Sequence, residues 1–253
     1  MNDVFGLSGK LALVTGGCRG IGAAIALAFQ ERGAQVIVHG RGSEQARTFA
    51  HDHSMALLEA DFSKRSDIEA LAATLADTYG HLDILVNNAG METYGYLDEI
   101  DAEAIHQQIM VDLEAPIILT RCLLPALRRS SAGSIINVSS IHGSVPYKGF
   151  SIYCAAKAGL EAFTRTLAVE LGPDGVRVNA IAPGAIETDM NREILDSVGR
   201  EEFAEWIPLG AVGQTKDIAD PAVFLASDAS RYITGDILTV DGAYSLHLVR
   251  YRS

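Results

Sequence analysis

The sequence predicts an α/β fold: one doubly wound parallel sheet with helices packed on both faces. Three observations carry this. Short, almost continuously apolar runs alternate along the chain with longer stretches of helical pattern. A glycine cluster stands where the first run meets the first helical stretch. No linker rich in proline, glycine or serine, no internal repeat and no low-complexity tract interrupts the 253 residues, which read as one domain, 1–253.

The elements follow in order. LALVTG (11–16) is apolar enough for a strand buried on both faces, and GIGAAIALAFQERG is a helix ended by Gly33. QVIVHG (35–40) is the second strand, with helical sequence from about Ser43, and MALLEAD (55–61) is the third. RSDIEALAATLADTYG (65–80) is an amphipathic helix that Ser or Asp can cap. LDILVNNAG (82–90) is a fourth strand, 101–129 is mostly helical, and GSIINVSS (133–140) is a fifth strand. After a helix over 151–172 come VRVNAIAPG (176–184), a helix at 216–227 and a last strand, ILTVDG (237–242). Residues 185–210 begin without clear periodicity. A connection this long in a compact domain is usually functional, and here it is expected to cover a substrate.

Composition limits the function. The net charge is −12, which disfavours nucleic acid and anionic membrane as partners. Cys18, Cys122 and Cys154 are an odd number without metal-ligand spacing, so neither a disulfide framework nor a metal site is expected. No signal peptide and no apolar run of membrane-spanning length is seen, and the reading is a soluble, cytoplasmic protein.

TGGCRGIG (15–22) places Gly16, Gly20 and Gly22 between strand and helix. There the chain must turn sharply, let a pyrophosphate approach its backbone and pack helix against sheet, while the helix N-terminus offers N–H groups and a positive dipole end. This points to a dinucleotide. The second strand of such sheets usually ends in an acid that accepts from the ribose 2′-OH. Here Gly40 takes that place and Arg41 follows. A guanidinium suits a 2′-phosphate, with Arg19 as a second cation, although Arg41 also fits a solvated surface position. NADP(H) is expected over NAD(H).

SIYCAAKAG (151–159) puts Tyr153 one helical turn before Lys157. Alone, that spacing describes ordinary surface residues. Together with TGGCRGIG, NNAG (87–90), NVSS (137–140) and APGAIET (182–188), in this order, it resembles the short-chain dehydrogenase/reductase family over essentially the whole chain. The resemblance implies a Rossmann-type sheet and an oxidoreductase. It makes Tyr153 the general acid/base, Lys157 the group that lowers its pKa and holds the nicotinamide ribose, and Ser140 the hydrogen-bond donor to the substrate oxygen. Moving a tyrosine from pH ~10 towards ~7 takes about 4 kcal/mol of differential stabilisation. Cofactor contacts carry over to Ile21 in the glycine turn, Asp61 at the adenine, Asn88 along the ribose, and Ile186 and Thr188 at the carboxamide. Asn87 reads as a tie between strands, and Cys154 as a small helix residue.

The chain departs from the family at Asp112, in IMVDLEAP (109–116), where Asn is usual and is thought to link the lysine to solvent through a held water. An ionised Asp112 opposes a Tyr153 phenolate; a protonated one acts as a donor. NNAGMETYG, SSIHGSVP, PGAIETDMN and IPLGAVGQ resemble stretches of glucose 1-dehydrogenase-like members, which implies a sugar or polyol substrate oriented by Glu92 and His142. Both are equally ordinary loop residues. The alternatives are a 3-oxoacyl thioester or general ketone reductase and, outside enzymes, a nucleotide-sensing scaffold with impaired catalysis. The resemblance also implies a homotetramer or homodimer, and the tail YSLHLVRYRS is apolar enough to pack against a partner subunit.

Overall fold

A computed structural model describes residues 3–247. Seven parallel strands form one sheet in the order β3-β2-β1-β4-β5-β6-β7: β1 (Leu11–Val14), β2 (Gln35–Gly40), β3 (Ala56–Glu59), β4 (Ile84–Asn87), β5 (Ser134–Val138), β6 (Arg177–Pro183) and β7 (Ile237–Val240). The helices between them are α1 (Gly20–Glu31), α2 (Glu44–Asp52), α3 (Arg65–Tyr79), α4 (Ala102–Ile109), α5 (Ala115–Leu127), α6 (Ser151–Leu171), α7 (Asp189–Val198), α8 (Arg200–Ala204) and α9 (Thr215–Ala226).

The period of two along each strand divides the core. Ala12 and Val14 of β1 face a cluster with Ile25 and Phe29 of α1 and Ile218 and Ala222 of α9. Leu11 and Leu13 face the opposite cluster, with Ile68 and Leu75 of α3, Leu119 and Leu123 of α5 and Leu171 of α6. Each fully buried side chain of this size contributes about 1.5–3 kcal/mol, so both faces must be covered. After β3 the chain returns to pair β4 beside β1. The strand order therefore reverses between β1 and β4, which opens a crevice past their C-terminal ends.

Some boundaries differ from the sequence reading. The third strand stops at Glu59, so Asp61 lies beyond it, in a turn where its Oδ1 accepts from Ser63 N (3.1 Å) and Oγ (2.8 Å). Ser66 and Asp67 fall inside the first turn of α3, whose N-cap is Lys64 without a side-chain cap. The helix expected over 101–129 is broken by a π-helical segment, Met110–Glu114, between α4 and α5. Segment 185–210 carries α7, α8 and a small separate core in which its Leu195, Phe203 and Ile207 cluster with Val212 just beyond it. The tail expected to meet a partner passes out of the described residues after His247.

Candidate active site

The glycine turn follows β1. Gly16 and Gly20 adopt φ of +59° and +54°, where a side chain is strained, and a Cβ on Gly22 would collide with the Gly16 carbonyl oxygen. The N-cap of α1, Arg19, makes no side-chain cap, and the first turn holds no acid. Its amides therefore remain for an anion, and the turn fits a dinucleotide pyrophosphate. Arg19 and Arg41 are exposed, and neither forms an ion pair among the described residues. The donors of Ser63 hold the Asp61 carboxyl below its usual range, with smaller help from Lys64 and Arg41.

β4 buttresses this turn. Asn88 Nδ2 donates to Thr15 O (2.8 Å) and Gly16 O (3.2 Å), so its side-chain amide is spent on the loop. Asn87 is the expected tie: its Nδ2 donates to Asn137 Oδ1 (2.8 Å) on β5 and Thr120 Oγ1 (3.2 Å) on α5. Across the crevice, Ile186 bridges to Gly213, and Thr188 lies against Gly20. A cleft of about 360 Å³ between turn and segment is lined by Gly20, Glu187, Thr188, Asp189, Arg192 and Thr215, among others. Arg200 at the start of α8 forks onto Glu187 (2.5 and 2.7 Å), which also accepts from Gln214 Nε2 (2.9 Å). That clamp ties the segment to the N-cap of α9.

Ser140 follows β5 and caps the 3-10 turn Ile141–Gly143 by accepting from His142 N (3.1 Å). Tyr153 and Lys157, one turn apart on α6, are both buried beside it. Burial and the charge of Asp112 push the Tyr153 phenol above its ordinary value, and a hydrogen bond with Ser140 pulls the other way. The lowering expected from Lys157 and the nicotinamide charge belongs to the cofactor-bound enzyme. The Lys157 Nζ sits 5.4 Å from the Tyr153 ring centroid and donates to Val138 O (3.2 Å).

Asp112 lies in the π segment, buried, with Oδ1 accepting from Met91 N (3.0 Å) and 3.8 Å from Lys157 Nζ. Gln108, one turn earlier and fully buried, donates from Nε2 to Asp112 Oδ2 and to Met91 O (2.9 Å), while its Oε1 accepts from Thr93 N (2.8 Å). Burial raises the Asp112 carboxyl, and Lys157, Met91 N–H and Gln108 oppose it. Every near partner is a donor, so the arrangement suits a carboxylate. The sequence reading missed Gln108, although its spacing of four residues before Asp112 was a signal.

The His142 ring packs at this centre, and the exposed Glu92 acts on it through its charge. Although Glu92 is exposed by surface area, partial desolvation by its neighbours and the charge of Asp112 raise its carboxyl, Lys157 opposes this, and the Glu92 charge is felt at Tyr153. The His142 ring stands 6.4 Å from that of Tyr153, and burial pushes its pKa down. Val145 O lies 3.0 Å from Nδ1 and can only accept, so Nδ1 carries the hydrogen and Nε2 is left as an acceptor. An aromatic group also missed in the sequence surrounds them: Phe150 packs on Tyr94 (5.3 Å), Tyr147 (5.5 Å) and Tyr153 (6.0 Å).

Comparison with known proteins shows which family the chain is similar to. The profile of a family described as enoyl-(acyl carrier protein) reductase matches residues 16–245. The 3-oxoacyl-[acyl-carrier-protein] reductase of Chlamydia trachomatis is 38% identical over 242 residues, 93% of this chain and 97% of the relative. The 3beta-hydroxysteroid dehydrogenase 1 of Eggerthella lenta is 39% identical over 249 residues, 95% of each. Among solved structures, the Pseudomonas aeruginosa RhlG/NADP active-site complex superposes with a TM-score of 0.91 at 33% identity, over 97% of this chain and all of that one. The gluconate 5-dehydrogenase of Burkholderia cenocepacia, in complex with NADP and tartrate, gives 0.90 at 30% identity over 96% and 98%. No helix among the described residues is long and apolar enough to cross a membrane. With the family model matched over residues 16–245, relatives at 38–39% identity over nearly the whole chain and solved structures of the same fold, the chain belongs to the short-chain dehydrogenase/reductase family, NAD(P)-dependent oxidoreductases acting on CH–OH groups.

Proposed function

We propose that the protein is an NADP(H)-dependent oxidoreductase that interconverts a secondary alcohol or hemiacetal and a carbonyl, with a sugar or polyol as substrate. The observation that carries the chemistry is the buried grouping of Ser140, Tyr153 and Lys157 past the ends of β4 and β5. Bound nicotinamide supplies or takes the hydride. Tyr153 gives a proton to the substrate oxygen or removes it, and Ser140 hydrogen-bonds that oxygen. With its pKa raised, the phenol is protonated at neutral pH, ready for carbonyl reduction. Alcohol oxidation needs the phenolate and rises with pH. Lys157 holds the ribose, while Asp112, held by Met91 N–H and Gln108, balances the charge of Lys157.

For the cofactor, Gly16, Arg19, Gly20, Ile21 and Gly22 cradle the pyrophosphate, Asp61 and Asn88 line the adenosine half, and Ile186 and Thr188 meet the carboxamide. Arg41, in no close ion pair among the described residues and only distantly attracted by Asp61, takes the 2′-phosphate. NADP in two of the neighbouring structures supports this preference.

The substrate reading rests on two acceptors beside Tyr153, the Glu92 carboxylate and His142 Nε2, next to an aromatic face. Hydroxyl donors satisfy the first two, and sugar C–H faces pack on the third. The second reading, a 3-oxoacyl thioester or ketone reductase, is favoured by the acyl-carrier-protein reductases among the relatives. A panel of aldoses, polyols, simple ketones and oxoacyl esters, assayed with NADP⁺ and NADPH, decides. Turnover of polyols supports the first; reduction of oxoacyl esters with no sugar oxidised replaces it by the second. The free cysteines fit a cytoplasmic setting, and a homotetramer or homodimer is expected by size-exclusion chromatography with light scattering.

A further inference from the structure

His39, near the end of β2, is a buried histidine that the chemistry above does not use. Its ring lies between two elements of the cofactor crevice. On one side Gly16 N donates to Nδ1 (3.2 Å). On the other, Nε2 stands 3.1 Å from Ala60 O, just past β3. The ring stacks on Phe62 at 3.9 Å between centroids and 10° between planes. The His39 carbonyl accepts from Gly17 N (3.0 Å), with Cys18 Sγ at 3.9 Å. Three consecutive residues of the glycine turn are thus attached to one residue of β2.

The two ring contacts determine the protonation state. A backbone N–H can only donate, so Nδ1 must keep its lone pair. A carbonyl can only accept, so Nε2 must carry the hydrogen. A single neutral tautomer satisfies both, and the imidazolium breaks the Gly16 contact. The geometry points to His39 as a positioning residue for the cofactor: a neutral imidazole that fixes the glycine turn relative to the end of β3. The pyrophosphate and adenine ends of the dinucleotide site are then held in register before binding. Burial keeps the ring neutral, with its pKa lowered to about 4, and the nearby positive charge of Arg41 adds to this. Cys18 in the turn and Asp61 after Ala60 are the neighbouring titratable groups on the packed elements. The inference rests on the reading that the turn holds the dinucleotide.

His39→Phe keeps the stack on Phe62 and removes both polar links; His39→Asn restores an acceptor near Gly16. Binding of NADPH and of NADH, followed by fluorescence titration, is expected to weaken about tenfold for both in His39→Phe and to recover largely in His39→Asn. The loss should appear in the cofactor KM rather than in kcat. Unchanged affinity in His39→Phe overturns the proposal, as does an Asn variant no better than Phe, or a lowered Tm in both with affinity intact. If the Phe variant does not fold, ¹⁵N-histidine NMR of the wild-type protein is the second measurement. The expected spectrum has one ring fixed as the Nε2–H tautomer from pH 5.5 to 8; no such ring, or all seven histidines titrating at pH 6–7, refutes the proposal. The tautomer is read without cofactor, so its failure is distinct from a failure of the dinucleotide reading.

Discussion

Lys157 and Asp112 face one another at 3.8 Å, both buried, at the point where the helix before β5 bulges into a π turn. π-bulges often mark functional positions because they redirect a side chain out of the helical repeat. Here the bulge carries a carboxylate to the lysine beside the reacting tyrosine. Its charge raises the Tyr153 phenol, second only to burial. Asp112→Asn is therefore expected to lower the apparent pKa of alcohol oxidation, by about one unit for a neighbouring charge. Rates of both forms from pH 6 to 11 test this; superimposable profiles mean that the charge of Asp112 does not reach the tyrosine.

Tyr153→Phe removes one hydroxyl and leaves the ring contacts with Phe150 and His142 in place. Turnover should fall by about 10²–10⁴-fold, the range of a lost general acid, with cofactor affinity retained. Near-normal kcat excludes Tyr153 as the proton donor.

Arg41→Ala is expected to weaken NADPH binding by about 1.5–3 kcal/mol, the worth of a hydrogen bond to a charged group, and to leave NADH nearly unchanged. Isothermal titration with each cofactor checks it. Equal losses show that Arg41 does not read the 2′-phosphate.

Gln108→Leu leaves the half-buried Thr93 N–H and Met91 O and the buried Asp112 Oδ2 without their shared partner. Each stranded polar group costs about 1–3 kcal/mol; with partial relaxation we expect roughly 3 kcal/mol of stability lost in urea unfolding. A change below about 0.5 kcal/mol shows that water replaces the amide at this site.

Glu92→Gln keeps the shape of the side chain and removes its charge. For a polyol substrate the KM should rise about tenfold, while a simple ketone should be unaffected. An equal response of both substrates removes Glu92 from hydroxyl recognition.

Much of the fold is legible in the sequence. The strands are buried on both faces, so their sequences are continuously apolar, and the helices announce themselves by period and glycine stops. The glycine turn was readable because a strand-to-helix turn needs residues without side chains, Ser140, Tyr153 and Lys157 stood out through the family resemblance and are brought together by the fold, and the tie made by Asn87 was anticipated. Arg41 and Asp112 stood out as departures from an expected residue. Tertiary structure decided the rest. The π bulge leaves no mark in hydrophobic period, because one inserted residue shifts the helical phase without changing composition. Gln108 and His39 are polar residues in apolar surroundings, and their role depends on backbone groups brought from Met91, Thr93, Gly16 and Ala60. The direction of the Tyr153 shift was also beyond the sequence. A spacing of one turn places an ammonium near a phenol, but only the folded chain shows that burial and the Asp112 carboxylate raise that phenol.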